Sequence, residues 1–273
     1  MSEASVVVVT YNALPWLEPC LESVRGNELV VVDHGSSDGT VAFVRERFPE
    51  VTVVEQENRG LAAGWNAGIA RTSSRYVLLL NSDAWLHEGA LDALVQCADE
   101  HPEAAVVSPR LLNTDGTLQR SVRGFPTLWR IATEYVFLRK LAPHSHAFNA
   151  FYGAGFAHDE VREVDWIMGA VWLVRRAAID VVGPADEGFF LFSEETDWAY
   201  RFRQAGWSSL FCPDAVATHV YGASHGGRML AENVRSQLRF LEKHRGASYA
   251  RTARLIFVLG LLLRRRVDVV RAL

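Results

Sequence analysis

The chain has 273 residues, 49% of them hydrophobic and 22% charged, enough for one large domain, or one domain with a small appendage, around a sizeable core. That balance excludes disordered, collagen-like and multi-span membrane classes. A formal net charge of −4 supplies no field for a long run of phosphates and argues against nucleic acid as the partner.

The chain opens on an apolar strand, ASVVVVT from residue 4, with no basic leader or cleavage site before it, so cytoplasmic residence is expected. β-branched runs (ELVVVD, VTVVEQ, RYVLLLN, AAVVSP) then alternate with helical spacing over 14–25, 38–48, 61–70 and 89–100. Continuous apolar strands separated by helices predict an α/β fold with a mostly parallel central sheet covered on both faces. The alternation breaks near residue 111 at the turn signal Asn113-Thr114-Asp115-Gly116. Residues 120–165 are irregular, aromatic and rich in Arg and His. A second ordered block follows, with a strand over 169–174, a helix ending near Gly183, an acidic helix over 194–204 and two short strands over 208–211 and 216–220. The tail holds LIFVLGLLL followed by Arg264-Arg265-Arg266, an apolar run shorter than the roughly 20 residues a membrane span needs. Two readings of that tail stand side by side: a basic amphipathic helix on an anionic membrane surface, or a helix packed on the main domain or on a second subunit. Cys20, Cys97 and Cys212 form no C-x-x-C pair and read as buried thiols.

Ligands of such sheets collect at the carboxyl ends of the strands. Those ends carry Thr10-Tyr11-Asn12, Asp33-His34-Gly35-Ser36 and Asn81-Ser82-Asp83. No G-x-G-x-x-G follows the first strand, which counts against a dinucleotide fold. Asp83, lifted to the sheet rim by VLLL, suits Mg2+ or Mn2+, hard cations held by one or two carboxylates plus substrate phosphates. Asp33 is placed for a ribose hydroxyl or a base N–H, and Tyr11 offers a ring face. Small residues around Gly60 and Gly64 open a helix whose N-terminus favours anions, with Arg59 beside it for a diphosphate. Glu194, Glu195 and Asp197 follow an aromatic run. Acids there read either as a solvated helix start or as carboxylates with raised pKa suited to base work. His219, closing an apolar strand before Gly222-Ala223-Ser224, reads either as structural or as a metal or phosphate contact.

The segments VVVVTYN (6–12), VVDHGSSDGT (31–40), ENRGLAAGWNAG (57–68) and LLLNSDAWL (78–86) are followed in collinear order by three more: VDWIMGAVWLVRR (164–176), FFLFSEETDWAYRFRQAGW (189–207) and PDAVATHVYGAS (213–224). Together the series resembles glycosyltransferase family 2, with its GT-A-type fold, and in particular the rhamnosyltransferase-like branch. The resemblance implies an inverting, metal-dependent hexosyltransferase of cell-envelope polysaccharide synthesis. It implies a dTDP- or UDP-linked sugar donor and a glycan or polyprenyl-linked acceptor, at the inner face of the cell membrane. Thr10, Tyr11, Asp33 and His34 fall on the positions lining the nucleoside, and Arg59, Gly60 and Asn66 on the segment beside the diphosphate. Asn81 and Asp83 fall on a variant D-x-D motif with Asp83 on the metal. Trp166, Gly169 and Ala170 fall beside donor sugar and acceptor. Glu195 takes the catalytic-base position with Glu194 as its alternative, and His219 completes the metal or diphosphate site. Two positions depart from the pattern: His34 stands where relatives carry Asp or Asn, and Asn81 replaces the first acid of D-x-D. Residues 1–225 are expected to form the transferase domain, with 1–110 its donor half and 111–225 its acceptor half. Residues 226–273 are expected to form helices that meet a membrane or a second copy. A catalytically inactive nucleotide-sugar or glycan binder of the same fold is the alternative.

Overall fold

The computed structural model describes residues 3–141, 145–149, 156–220 and 229–273. In chain order the first half runs β1 (Ala4–Thr10), α1 (Leu14–Glu22), β2 (Glu28–Asp33), α2 (Thr40–Arg47), β3 (Thr52–Glu55), α3 (Leu61–Ile69), β4 (Tyr76–Asn81), β5 (Ala84–Leu86), α4 (Ala90–Glu100) and β6 (Ala104–Leu112). The irregular stretch holds β7 (Leu118–Gln119), β8 (Val122–Arg123), α5 (Leu128–Tyr135), a 3-10 turn (Leu138–Leu141) and α6 (His146–Asn149). Then come β9 (Arg162–Val164), β10 (Trp166–Ile167), β11 (Val171–Arg175), α7 (Arg176–Val182), α8 (Glu194–Gln204) and β12 (Ser208–His219). Three helices close the chain: α9 (Leu230–Arg245), α10 (Ala247–Leu263) and α11 (Val267–Ala272).

The main sheet is ordered β3-β2-β1-β4-β11-β6-β12-β5. Strands β3, β2, β1 and β4 pair in parallel. Strand β11 enters antiparallel between β4 and β6, and β6 returns to parallel pairing with β12. The period of two along each strand divides the core. Val6, Val8, Leu78 and Leu80 point to the face covered by α1, α2 and α4, while Val7, Val77 and Leu79 join Trp65, Trp172 and Trp198 on the other. On that second face Trp65 stacks between Trp172 at 6.3 Å and Trp198 at 6.2 Å. Val234, Phe240, Leu241 and Phe257 from α9 and α10 belong to the same cluster, so the C-terminal helices share the core of the sheet domain.

Two local readings differ from the sequence expectation. The two short strands over 208–211 and 216–220 are one strand, Ser208–His219, with a register shift between Cys212 and Val216. The interruption at Pro213 is thus absorbed as a bulge, the one way a proline fits inside a ladder away from its ends. The irregular stretch contains a capped helix, α5, whose Thr127 side chain accepts from the Arg130 N–H at 3.2 Å. The three cysteines are buried and free, and among the described residues no helix is long and apolar enough to cross a membrane.

Candidate active site

The ends of β1 and β2 lie side by side, with Thr10 opposite Asp33 in the register. Asp33 is buried and engaged on both oxygens. Thr10 Oγ1 and Ser36 Oγ donate to Oδ1 at 2.9 and 2.5 Å, and the Gly35 and Ser36 N–H groups donate to Oδ2 at 2.9 and 2.8 Å. These four donors occupy the lone-pair positions of one carboxylate. Asp33 therefore shapes the 33–38 loop, a different job from the direct ribose or base contact expected of it. Asn12, at φ 51°, ties the first loop to the second: its N–H donates to Ser36 Oγ and its Oδ1 accepts the Ser37 N–H, both at 2.8 Å. Tyr11, 57% exposed, leaves its ring available above this floor. His34 is buried, and its Nε2 lies 3.0 Å from the Gln56 side-chain nitrogen. An amide nitrogen only donates, so Nε2 accepts, and burial lowers the His34 pKa in the same direction. The residue that departs from the family pattern is thus a neutral imidazole in the floor of the nucleoside end.

On the neighbouring loop, Arg59 is exposed and 3.5 Å from Glu187, a loose surface pair that leaves the guanidinium accessible to phosphate. Gly60 sits at φ 98°, and a Cβ there would lie 2.4 Å from the Phe190 carbonyl oxygen. That carbonyl accepts the Leu61 N–H at 3.0 Å, so only glycine lets the start of α3 meet the loop before α8. Asn66, expected beside the diphosphate, is committed elsewhere. Its amide donates to Ala185 O and Glu187 Oε1 and accepts from the Ala185 N–H, joining α3 to the 184–187 loop.

The end of β4 brings the next group. Asn81 and Ser82 are half-buried, Asp83 is 3% exposed, and Asp83 O accepts the Val220 N–H at 2.9 Å. Strand β5, just after the turn, pairs with β12, which places His219 opposite Ala84. His219 Nε2 consequently lies 3.5 Å from Asp83 Oδ1. Gln119, from β7, decides the state of that ring. Its Nε2 donates to Asn113 Oδ1 at 2.8 Å and to His219 O at 3.1 Å, so its Oε1, 2.7 Å from His219 Nδ1, must accept. With its Nδ1 held by Gln119, the ring turns Nε2 toward the Asp83 carboxylate. A carboxylate and an imidazole nitrogen facing each other at 3.5 Å are a side-chain pair that could hold a divalent metal. Among the described residues no group of three or more such side chains gathers anywhere; Asp83 and His219 would supply two ligands to such an ion. Gln119 is the residue that sequence reasoning missed; a neutral polar side chain in a two-residue strand carries no signal. Gly222, Ala223 and Ser224, expected after His219, lie outside the described residues.

The antiparallel register of β11 on β4, with Val171 opposite Leu80, carries residues 169–170 to this rim. Ala170 O accepts the Asn81 N–H at 2.9 Å. Gly169 is wedged: a Cβ there would lie 3.2 Å from the Trp65 ring and 3.4 Å from Glu195 Cβ. Trp166 is buried and donates its Nε1–H to Gly124 O at 3.1 Å, supporting this segment from beneath. Helix α8 delivers the acids from a strained entry, since Phe192 and Ser193 have φ 67° and 65°. Left-handed conformations at non-glycine residues cost on the order of 1 kcal/mol each and cluster at functional sites. Glu195 is half-buried, its Oε2 has no hydrogen-bond partner, and burial pushes its pKa up to about 7. Glu194 is buried more deeply, also with an unpartnered Oε2, and burial together with the neighbouring Glu195 raises its pKa well above the carboxylate range. Asp197, one turn inward, behaves in the opposite way. Burial alone would raise it, but Arg201 at 2.8 Å and Lys243 and His244 at 2.7 Å hold it down to about 2. Asp197 is a fully buried ion-pair hub between α8 and α9, whereas the sequence grouped it with the catalytic acids.

The profile of Glycosyl transferase family 2 matches residues 5–163, from β1 into β9. Over 262 residues the chain is 31% identical to the N-acetylglucosaminyl-diphospho-decaprenol L-rhamnosyltransferase of Mycobacterium tuberculosis, covering 88% of this chain and 85% of that protein. The chain belongs to glycosyl transferase family 2. Among solved structures, this family 2 glycosyltransferase is similar to the mannosyltransferase PcManGT from Pyrobaculum calidifontis in complex with GDP-Man and Mn2+, with TM-score 0.63 and 19% identity over 95% of this chain and 72% of that one. It is also similar to GalNAc-T7 with UDP, GalNAc and Mn2+, with TM-score 0.61 and 16% identity over 88% of this chain. The chain spans 47% of the length of that second neighbour. At such identities the likeness speaks to the fold, and it is the GT-A fold expected from the motif series.

Proposed function

We propose that this family 2 glycosyltransferase moves a sugar, with inversion, from a nucleoside-diphosphate donor to a hydroxyl of a glycan or polyprenyl-linked acceptor in cell-envelope polysaccharide synthesis. A dTDP-linked rhamnose is the first donor to test, because the mycobacterial relative named for rhamnosyl transfer to a diphospho-decaprenol acceptor matches over 88% of the chain. The observation that carries the reading is one sheet rim where a carboxyl with pKa near 7 packs on the segment bonded to Asn81, next to the Asp83–His219 gap.

In this reading Tyr11 and the 33–38 loop hold the nucleoside, and Arg59 meets the diphosphate. Asp83 and His219 hold Mg2+ or Mn2+, which when bound neutralises charge on the departing diphosphate. Gly169 and Ala170 border the transferred sugar. Glu195 Oε takes the proton from the acceptor hydroxyl as that oxygen attacks the anomeric carbon from the face opposite the leaving group. Glu194, held neutral, keeps a second negative charge away from the incoming nucleophile. Residues 1–225 form the transferase domain in this account, with 226–273 a helical appendage that completes its core.

The test separates the two glutamates. Glu195→Gln removes the base and should lower transfer by roughly 10²- to 10⁴-fold. Glu194→Gln imitates a protonated acid and should retain most of the activity. Transfer, followed as nucleoside diphosphate release from dTDP-rhamnose with metal present, that survives in Glu195→Gln but not in Glu194→Gln would reassign the base. Binding of the nucleotide with neither release nor transfer by the unmodified protein would favour an inactive binder.

A further inference from the structure

Helix α10 is apolar on both sides, and only one side is used by the fold. Phe257 packs edge-on against Tyr135 of α5 at 4.6 Å, Gly260 lets the Tyr135 backbone approach, and Ala253 and Leu261 are buried. The opposite side presents Leu255, Leu259, Leu262 and Leu263, which are 72%, 51%, 49% and 54% exposed. Their spacing of four, three and one residues puts them on one face, a stripe about 12 Å long at about 1.5 Å per residue.

The charge at the ends of this stripe is mostly positive, with Arg266 paired to Asp268 at 2.9 Å. Residues 247–273 contain six arginines against one aspartate, in a chain whose basic residues number 28 against 32 acidic. Arg251 stands one turn before Leu255, and Arg265 and Arg266 follow Leu263. Arg264 alone of the triplet turns inward, donating to Glu134 O and Tyr135 O. Arg265 adopts φ 57° and is exposed. No acidic residue lies on α10.

We propose that this face of α10 docks on the surface of an anionic lipid bilayer, with the leucines in the headgroup–acyl boundary and the arginines on lipid phosphates. The stripe is too short to span and the right size to lie flat. Cationic ends match an anionic leaflet, where each Arg near the surface strengthens binding several-fold. They oppose a second copy, because a twofold pairing of the stripe brings the two arginine ends against each other. The proposal deepens the reading of a lipid-linked acceptor and rests on it for its purpose, since docking brings the enzyme to the surface that holds such a substrate.

The full chain is sedimented with vesicles of phosphatidylcholine alone and of phosphatidylcholine with phosphatidylglycerol, at low and high salt. Binding should require the anionic lipid, weaken with salt, and drop at least about tenfold in Arg251→Glu/Arg265→Glu and in Leu255→Ser/Leu259→Ser, both melting at the unmodified temperature. Equal binding by these variants, or no binding to anionic vesicles by the unmodified chain, would overturn the proposal. So would a concentration-dependent dimer that the leucine variant abolishes, which would give the face to a second copy. Nucleoside diphosphate release in solution is read in parallel and should be unchanged in both variants. Its absence in the unmodified chain would sink the transferase reading while leaving the vesicle result to be judged alone.

Discussion

Glu194, buried, and Glu195, half-buried, are adjacent acids each with an unpartnered Oε2, yet their environments assign them different states at neutral pH. A base must be ionised, and Glu195 titrates at about 7. The rate at low substrate should therefore rise with pH through about 7 and level off above it, the protonated form below being unable to accept. A profile flat from acid to neutral pH would remove Glu195 from the proton transfer. At the opposite corner the orientation of His219 depends on Gln119, whose amide is fixed by two carbonyl-type acceptors. Gln119→Ala should weaken Mn2+ binding, measured by titration calorimetry with nucleoside diphosphate present, by about 10- to 100-fold. An unchanged affinity would mean that the ring needs no such support. Asp83 and Glu195 were legible in the sequence because each follows an apolar run that lifts or buries a carboxylate. Gln119 and the commitment of Asn66 to Ala185 were not, since both depend on partners about a hundred residues away in the chain.

Among the elements, α8 carries the acids and α9 holds α8 in place. The link is Asp197, fully buried, against Arg201 on its own helix and Lys243 and His244 on α9. Its folded pKa of about 2 lies below the unfolded value, so its stabilisation is present above about pH 4 and fades as pH falls toward 2. The shift corresponds to about 2 kcal/mol. Asp197→Ala leaves Arg201 and Lys243 as cations around an empty place and should cost about 3–5 kcal/mol in urea unfolding at neutral pH. A loss below 1 kcal/mol, on the same rough scale, would show that the hub is a surface-like cluster. The helix itself was readable from its acidic start and its apolar flank. Which of its acids was structural was not, because a carboxylate that favours the helix dipole, a base and a buried ion pair all look alike in a row of three. The two strands expected over 208–211 and 216–220 are one, because the pairing of β12 with β6 carries the ladder through a bulge that local sequence does not show.

For the whole molecule, alternating apolar strands and helices were sufficient to place the parallel β3-β2-β1-β4 half and its ligand edge. The antiparallel entry of β11 was not, although it sets the site: it brings Gly169 and Ala170 to the end of β4 and seats Glu195 beside them. The family likeness ordered these parts correctly because collinear motifs encode a topology that local periodicity cannot. The proposed transfer needs one site where Asp83 and His219 would hold a metal beside the diphosphate and Glu195 accepts the hydroxyl proton. Its most direct test is nucleoside diphosphate release from dTDP-rhamnose, with Mg2+ or Mn2+, by Asp83→Ala beside the unmodified chain. Release should need the metal and fall by about 10²-fold or more in the variant, with the melting temperature kept. Near-normal release by Asp83→Ala, or metal-independent release by the unmodified chain, would contradict it.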